Sequence, residues 1–319
     1  MQTRTLGYTG EPLTAIGLGT WAHGGGHWAF GWGAQDDRES SHAVQAALDS
    51  GINWIDTAAV YGLGHAEEVL GRLLKAMPER PFVATKCGIR WDEQSRKTYF
   101  SLKADSVRAE CEASLKRLGV ETIDLYQIHW PRPDEEIEEG WSAIAELIRE
   151  GKVRYGGVSN FSVEQMERAR KIHPVASLQP PYSMLERDVE KEQLAYCAEH
   201  DIGVIAYSPL QKGLLTGKID RAYVDAMDET DHRKTRDSMF REPEFSRILG
   251  KVKRLKPIAE RLGITLAQLA VAWVLRRPEV TAAIVGARRP DQIRGIAPAA
   301  EIAVPDKDLA EIEVLLEDS

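Results

Sequence analysis

Short β-branched apolar runs alternate with amphipathic stretches of helical period along almost the whole 319-residue chain, the pattern of repeated βα units around a parallel sheet. Eight runs stand out: AIGLGT (15–20), INWIDT (52–57), FVATK (82–86), IDLYQIH (123–129), VRYGGVSN (153–160), PVASLQ (174–179), IGVIAYS (202–208) and AAIVGA (282–287). Between them lie segments such as DDRESSHAVQAALDSG and ADSVRAECEASLKRLG, which close on a glycine suited to a left-handed helix cap. Eight strands separated by helices predict an α/β fold of the (β/α)8 TIM-barrel type rather than an open sheet. No break in the pattern divides the chain, so residues 1–319 read as one domain. Ahead of the first strand, RTLGYTGEPLTAIG reads as two short strands around a TGEP turn, a β-hairpin capping one end of the barrel. The final PDKDLAEIEVLLEDS reads as a capping amphipathic helix.

In such barrels the chemistry gathers where strands end and βα loops begin. The residues expected there are Thr20 and Trp21, Asp56, Lys86, His129, Ser159 and Asn160, Gln179, Tyr207 and Ser208, with Arg288 just past the eighth strand. Loop polarity alone does not explain why an Asp, a Lys and a His each replace the last inward side chain of an apolar strand. A carboxylate at the end of a core strand is costly unless it is paired or hydrogen-bonded. Asp56, Lys86 and His129 come from strands two, three and four and are neighbours around the rim, with Tyr61 returning from the loop behind Asp56. The Lys86 ammonium can neutralise Asp56 and lie beside the Tyr61 hydroxyl, where positive charge favours phenolate and is expected to lower the tyrosine pKa from about 10. Tyr61 then becomes a general acid near neutral pH. A neutral His129 beside it can donate a hydrogen bond to a substrate oxygen.

Charge and composition narrow the partners. Lys plus Arg number 41 against 49 Asp plus Glu, a net charge of −8, so no global basic field draws in nucleic acid or an anionic membrane. An anionic ligand therefore needs a local basic pocket. Cys87, Cys111 and Cys197 are odd in number, far apart and without CxxC spacing, which suits a reduced, cytoplasmic setting better than a disulfide framework or a zinc knuckle. The N-terminal MQTRTLGYTG has no apolar signal core, and no run of about 18 apolar residues occurs, so neither secretion nor membrane spanning is expected.

The motifs GLGTW (17–21), IDTAAVYG (55–62), ATKCG (84–88), DLYQIHWP (124–131), GVSNFS (157–162), LQPPYSML (178–185), AYSPLQKGLLTGK (206–218) and VGARRPDQI (285–293) resemble, in order and along nearly the whole chain, those of the aldo-keto reductases. The resemblance is nearest to the bacterial and plant branch with a GARRP-type cofactor loop. It implies an NADP(H)-dependent carbonyl reductase with the catalytic tetrad on Asp56, Tyr61, Lys86 and His129, none of them substituted. It further implies that Ser159, Asn160 and Gln179 hold the nicotinamide carboxamide and that Tyr207 stacks on the ring, while Thr20, Trp21 and Asp56 border the cofactor at neighbouring strand ends. The segment Ser208, Pro209, Leu210, Lys212 and Gly213 would wrap the pyrophosphate. Gly286, Ala287, Arg288, Arg289 and Gln292 would take the adenosine end, with Arg288 on its 2′-phosphate. Ile296 departs from the asparagine many relatives carry four residues after that glutamine.

The segment WAHGGGHWAFGWG (21–33) puts four aromatics and two histidines on a glycine-rich loop, which suits a partly apolar substrate wall with Trp21 and Trp130 as contacts. His23 and His27 have a metal-like spacing, but the glycines between them argue against a helix and no carboxylate motif completes a site, so no metal is expected. Cys87 should point away from Lys86 and is not read as a nucleophile. Three readings remain open from the residues. The first is reduction of a small-molecule aldehyde or ketone, with alcohol oxidation in reverse. The second is a metal-dependent barrel hydrolase, and the third a nicotinamide-binding regulatory module.

Overall fold

The computed structural model describes residues 1–26 and 28–317. In chain order its strands are β1 (Thr3–Thr5), β2 (Pro12–Thr14), β3 (Ile16–Gly19), β4 (Trp54–Asp56), β5 (Phe82–Cys87), β6 (Ile89–Trp91), β7 (Thr98–Phe100), β8 (Ile123–Ile128), β9 (Val153–Ser159), β10 (Ser177–Gln179), β11 (Gly203–Tyr207) and β12 (Val280–Gly286). Eight of them, β3, β4, β5, β8, β9, β10, β11 and β12, close into a barrel in that order. Every barrel pairing is parallel, and helices such as Asp37–Asp49, His65–Leu74 and Ala104–Leu118 link successive strands, so the fold is the expected (β/α)8 barrel. The apolar runs place every barrel strand to within a few residues. The two shortest, β4 and β10, are three residues each, although Asn53, Thr57 and Ala176 just outside them still exchange backbone hydrogen bonds with neighbouring strands.

The N-terminal hairpin pairs Thr3 with Thr14 and Thr5 with Pro12, and carries Leu6 and Leu13 into the barrel floor. There they pack with Trp54, Leu125, Ile205 and Ala282, the inward residues of the barrel strands. The Trp54 indole donates to the Thr14 carbonyl at 2.9 Å, tying the floor to the hairpin. Gly17 makes room for that indole: a Cβ there would sit 2.1 Å from the Trp54 ring. Gly19 likewise lies against Ile284, a Cβ there coming 2.7 Å from its side chain. The predicted C-terminal helix is present as Asp306–Glu317.

Strand alternation then sets the site. Trp54 and Asp56 point into the barrel from β4, as do Ala84 and Lys86 from β5, and Leu125 and Gln127 from β8. The outward residues Ile55, Val83, Cys87 and Ile128 join the larger apolar layer beneath the helices. Cys87 is therefore turned away from the barrel mouth, and burial pushes its thiol well above the ordinary range.

Candidate active site

The Asp56 carboxylate is met by Lys86 with both oxygens in reach, Nζ lying 2.8 Å from Oδ1 and 2.7 Å from Oδ2. The same ammonium donates to the Thr57 carbonyl at 2.8 Å and approaches the Tyr61 hydroxyl at 3.5 Å. Asp56, Lys86 and Tyr61 are all buried. Burial lowers the Lys86 pKa and Asp56 opposes that shift through charge and hydrogen bonds, so the pair is held as an ion pair. A third partner, the Gln179 amide, donates to Asp56 Oδ1 at 2.8 Å and to Gln127 Oε1 at 3.3 Å.

Tyr61 is held by the chain around it. Its amide donates to the Ala58 carbonyl at 3.0 Å, and Gly62 follows with φ of 66°. Gly24 and Gly62 lie backbone to backbone, since a Cβ on Gly24 would come within 2.5 Å of the Gly62 nitrogen. The loops after β3 and β4 can approach this closely only because both positions are glycine. The His129 ring stands edge-on to Tyr61 at 5.8 Å, and the imidazole is kept neutral because burial and the nearby Lys86 push its pKa well below 6.5.

One expectation fails in direction. The Tyr61 pKa is raised well above 10, first by burial, then by Asp56 and Tyr207, and is not lowered by Lys86. The reason is geometric: Lys86 spends its charge on both oxygens of Asp56, and the pair presents little net positive field to a phenol 3.5 Å away. Tyr61 is a firmly protonated phenol.

Around the rest of the rim the polar strand ends are joined by hydrogen bonds. Ser159 Oγ donates to the Gln179 carbonyl at 2.8 Å, Asn160 Nδ2 to Ser159 Oγ and to the His129 carbonyl at 3.0 Å each, and the Tyr207 hydroxyl to Asn160 Oδ1 at 2.9 Å. Thr20 Oγ1 donates to the Asp56 carbonyl at 3.1 Å. Tyr207, on β11, stands four strands from Lys86 around the eight-stranded barrel, across the mouth from the tetrad. A planar ring laid against Tyr207 would expose its other face toward Tyr61. Beyond it the backbone turns through positive φ at Ser208 (56°), Gln211 (44°), Lys212 (55°) and Gly213 (101°), a left-handed run of the kind that gathers amides for an anion. Both features fit a dinucleotide.

Two cationic groups are engaged in ways the sequence does not reveal. Lys212 pairs with Asp237 at 2.5 Å, so its charge is neutralised in the structure. Arg288 donates to Gln35 Oε1 at 2.6 Å, to the Trp32 carbonyl at 3.1 Å and to the Ala34 carbonyl, strapping the loop after β3 to the end of β12. Arg289 is exposed and bonded to Asp291, and Gln292 accepts from the Arg288 and Arg289 amides. Gly286 is exposed at the end of β12, and Ile296 is buried in the core rather than facing a ligand. A cavity of about 370 Å³ lies beside Arg288, lined also by Trp32, Tyr223, Asp231 and Arg233.

An aromatic cluster stands beside Tyr61. Trp21 stacks near Tyr61 at 6.3 Å, and Trp28 (6.2 Å from Tyr61) and His232 (4.8 Å from Trp21) complete the cluster. The Trp130 ring, next in the chain to His129, lies beneath the Arg132 guanidinium at 5.5 Å. His23 is buried with Nε2 donating to the Ala287 carbonyl at 2.7 Å, and burial drives its pKa down to about 4, so it anchors the loop; His27 lies outside the described residues. Asp231, His232 and Arg233, beside this cluster, sit on a four-residue helix (His232–Thr235) and its cap, too short to leave a period in the sequence.

The buried Asp56–Lys86 pair behind Tyr61, with His129 at its edge, has the groups to move a proton to or from a substrate oxygen at the barrel mouth. Comparison with known proteins agrees: residues 15–317 match the Aldo/keto reductase family. The chain is 38% identical to aldo-keto reductase YhdN of Bacillus subtilis over 322 residues, covering all of this chain and 95% of that protein. It is 34% identical to the NADH-specific methylglyoxal reductase of Escherichia coli, covering 97% and 96% of the two chains. The structure of the glycerol dehydrogenase of Gluconobacter oxydans superimposes with a TM-score of 0.88 at 41% identity, covering 98% of this chain and 94% of that one. The chain belongs to the aldo-keto reductase family and is an oxidoreductase of carbonyl compounds.

Proposed function

We propose that the protein reduces a small aldehyde or ketone to the alcohol with NADPH, using Tyr61 as the general acid. The observation that carries this reading is the Lys86 ammonium, bonded to both Asp56 oxygens and 3.5 Å from the Tyr61 hydroxyl. A nicotinamide held at this mouth would supply hydride for the carbonyl carbon. Tyr61 gives its proton to the oxygen, and the phenolate left behind is stabilised by Lys86, which Asp56 keeps charged. His129, neutral, donates a hydrogen bond to the same oxygen and orients it. Ser159, Asn160 and Gln179 are the groups for the carboxamide and Tyr207 for the ring face, and the Ser208 to Gly213 segment is the wrap for the pyrophosphate.

The pH dependence follows from the direction of the Tyr61 shift. Reduction needs the protonated phenol, so a pKa raised well above 10 leaves reductive kcat/KM flat through neutral pH. Oxidation needs the phenolate and rises with pH. A reductive profile that instead falls with an apparent pKa between about 7 and 8 would reinstate a lysine-lowered phenol.

The choice of NADPH rests on Arg288 and Arg289. A 2′-phosphate on a protein of net charge −8 needs a local guanidinium, and these two lie together at the start of the helix Pro290–Ile296. Arg288 would read the phosphate while still tied to the loop after β3, and Arg289 would exchange Asp291 for it. The kcat/KM ratio for NADPH over NADH, measured with a simple aldehyde, is expected to favour NADPH and to shrink in Arg288→Ala by ~1.5 to 3 kcal/mol, the range for a charged hydrogen bond. An enzyme that favours NADH, as the Escherichia coli relative's name describes that protein, or a ratio unmoved by the substitution, would remove Arg288 from this role.

A further inference from the structure

Inside the barrel lies a second glutamine, Gln127 on β8, that the proton transfer at Tyr61 does not use. It is level with Lys86 across the β5–β8 pairing and with Gly157 across the β8–β9 pairing, and Gly157 is level with Ser177 on β10. The glycine leaves room for Gln127 to reach past β9, since a Cβ there would stand 3.0 Å from Gln127 Cγ and 2.4 Å from Ser177 Oγ. Gln127 Oε1 accepts from Gln179 Nε2 at 3.3 Å, and the same nitrogen donates to Asp56 Oδ1 at 2.8 Å. All three side chains are buried. Their polarity follows from what each atom can do. A carboxylate only accepts, so Gln179 turns its NH2 to Asp56, and the second hydrogen of that NH2 requires Gln127 to present its oxygen. Both hydrogens of Gln179 are then used. Its own Oε1 accepts no hydrogen bond among the described residues, yet it is not one of the buried polar atoms left without a partner, so it faces the open mouth. Gln127 Nε2, by contrast, is buried and unpaired, a cost that an apolar side chain at 127 would not carry. Stability alone therefore does not account for a glutamine there.

We infer that Gln127 is a positioning residue for the dinucleotide: it fixes the plane of the Gln179 amide and so presents Gln179 Oε1 to the NH2 of the nicotinamide carboxamide. The inference rests on the assignment of Gln179 to the carboxamide in the reductase reading and adds what holds Gln179 in place. One bond to Asp56 leaves the amide free to turn about that bond. Two acceptors on different strands, Asp56 on β4 and Gln127 on β8, leave one plane that serves both. Without Gln127 Oε1 the second N–H is buried and unpaired, and the amide gains by turning out of the plane that presents its oxygen. A fixed acceptor selects for the amide NH2, because a ring substituent with a carbonyl but no N–H leaves that acceptor unpaired.

The test is the ratio of dissociation constants for two oxidised dinucleotides, the nicotinamide form and its 3-acetylpyridine analogue, which keeps the carbonyl and replaces the amide NH2 with methyl. Both carry the 2′-phosphate or both lack it, following whichever form the protein binds more tightly. Titration of tryptophan fluorescence measures each in wild type, Gln127→Leu, Gln127→Met and Gln179→Leu. The wild type is expected to bind the nicotinamide form at least about fivefold more tightly, and both Gln127 variants to bring the ratio to within about twofold of one. Gln179→Leu is expected to do the same. The ratio is the readout because a loosened site weakens both dinucleotides together, and Leu and Met differ in shape while both remove the amide oxygen. A wild-type ratio kept in either Gln127 variant but lost in Gln179→Leu overturns the positioning role and leaves the reductase reading in place. A wild-type ratio near one, or a ratio unmoved by Gln179→Leu, removes Gln179 from the carboxamide and overturns the inference with it. Binding of neither dinucleotide overturns the nicotinamide reading as well.

Discussion

Lys86→Met and Asp56→Asn are each expected to lower kcat/KM for carbonyl reduction by ~10²-fold or more, and the double variant to lose little beyond the worse of the two. The expectation comes from how completely the pair is enclosed. Lys86 Nζ has three oxygens within 2.8 Å, two of them on Asp56, and both side chains are buried. Removing the carboxylate leaves an ammonium that burial already pushes toward deprotonation, so the charge meant for the Tyr61 phenolate is lost with it. Removing the ammonium leaves Asp56 with only the Gln179 amide, and its negative charge then opposes phenolate formation directly. Either change destroys the same stabilisation, which cannot be lost twice. Steady-state kinetics of the two single variants and the double variant measure the coupling, and fully multiplicative losses would show that Asp56 and Lys86 act separately.

Much of this site is visible in the sequence, for a physical reason. Strand alternation is a local property, so an Asp, a Lys and a His ending apolar runs must face the barrel mouth once those runs are strands. Asp56, Lys86 and His129 therefore come together as expected, and Tyr61 follows because Gly62 lets its loop fold back against Gly24. Other features depend on distances that no pattern carries. The ribbon of β6 and β7 is two three-residue strands without alternation long enough to read, and the helix His232–Thr235 is one turn. The Tyr61 shift runs opposite to expectation because it depends on how fully Asp56 absorbs the lysine charge and how deeply the phenol is buried. The basic character of Lys212 and Arg288 was legible, but not the Asp237 carboxylate and the loop carbonyls that occupy them.

Tyr61→Phe bears most directly on the central claim, that Tyr61 is the acid and Asp56 and Lys86 support it. The substitution deletes one hydroxyl and keeps the ring that packs near Trp21, Trp28 and His129. The Asp56–Lys86 pair keeps its shortest contacts, since the bond to the Tyr61 hydroxyl is the longest of the four Lys86 makes, at 3.5 Å. Dinucleotide binding should persist, because the groups that fit it, from Ser159 to Tyr207, hydrogen-bond among themselves and not to Tyr61. The measurement is single-turnover loss of reduced-nicotinamide absorbance on mixing cofactor-loaded protein with a simple aldehyde, beside a fluorescence titration of cofactor affinity. The expected result is a hydride-transfer rate lower by at least ~10²-fold, the minimum for loss of a positioned general acid, with cofactor affinity within about threefold of wild type. A variant that binds cofactor normally and reduces the aldehyde at the wild-type rate would contradict the assignment of Tyr61 as the acid.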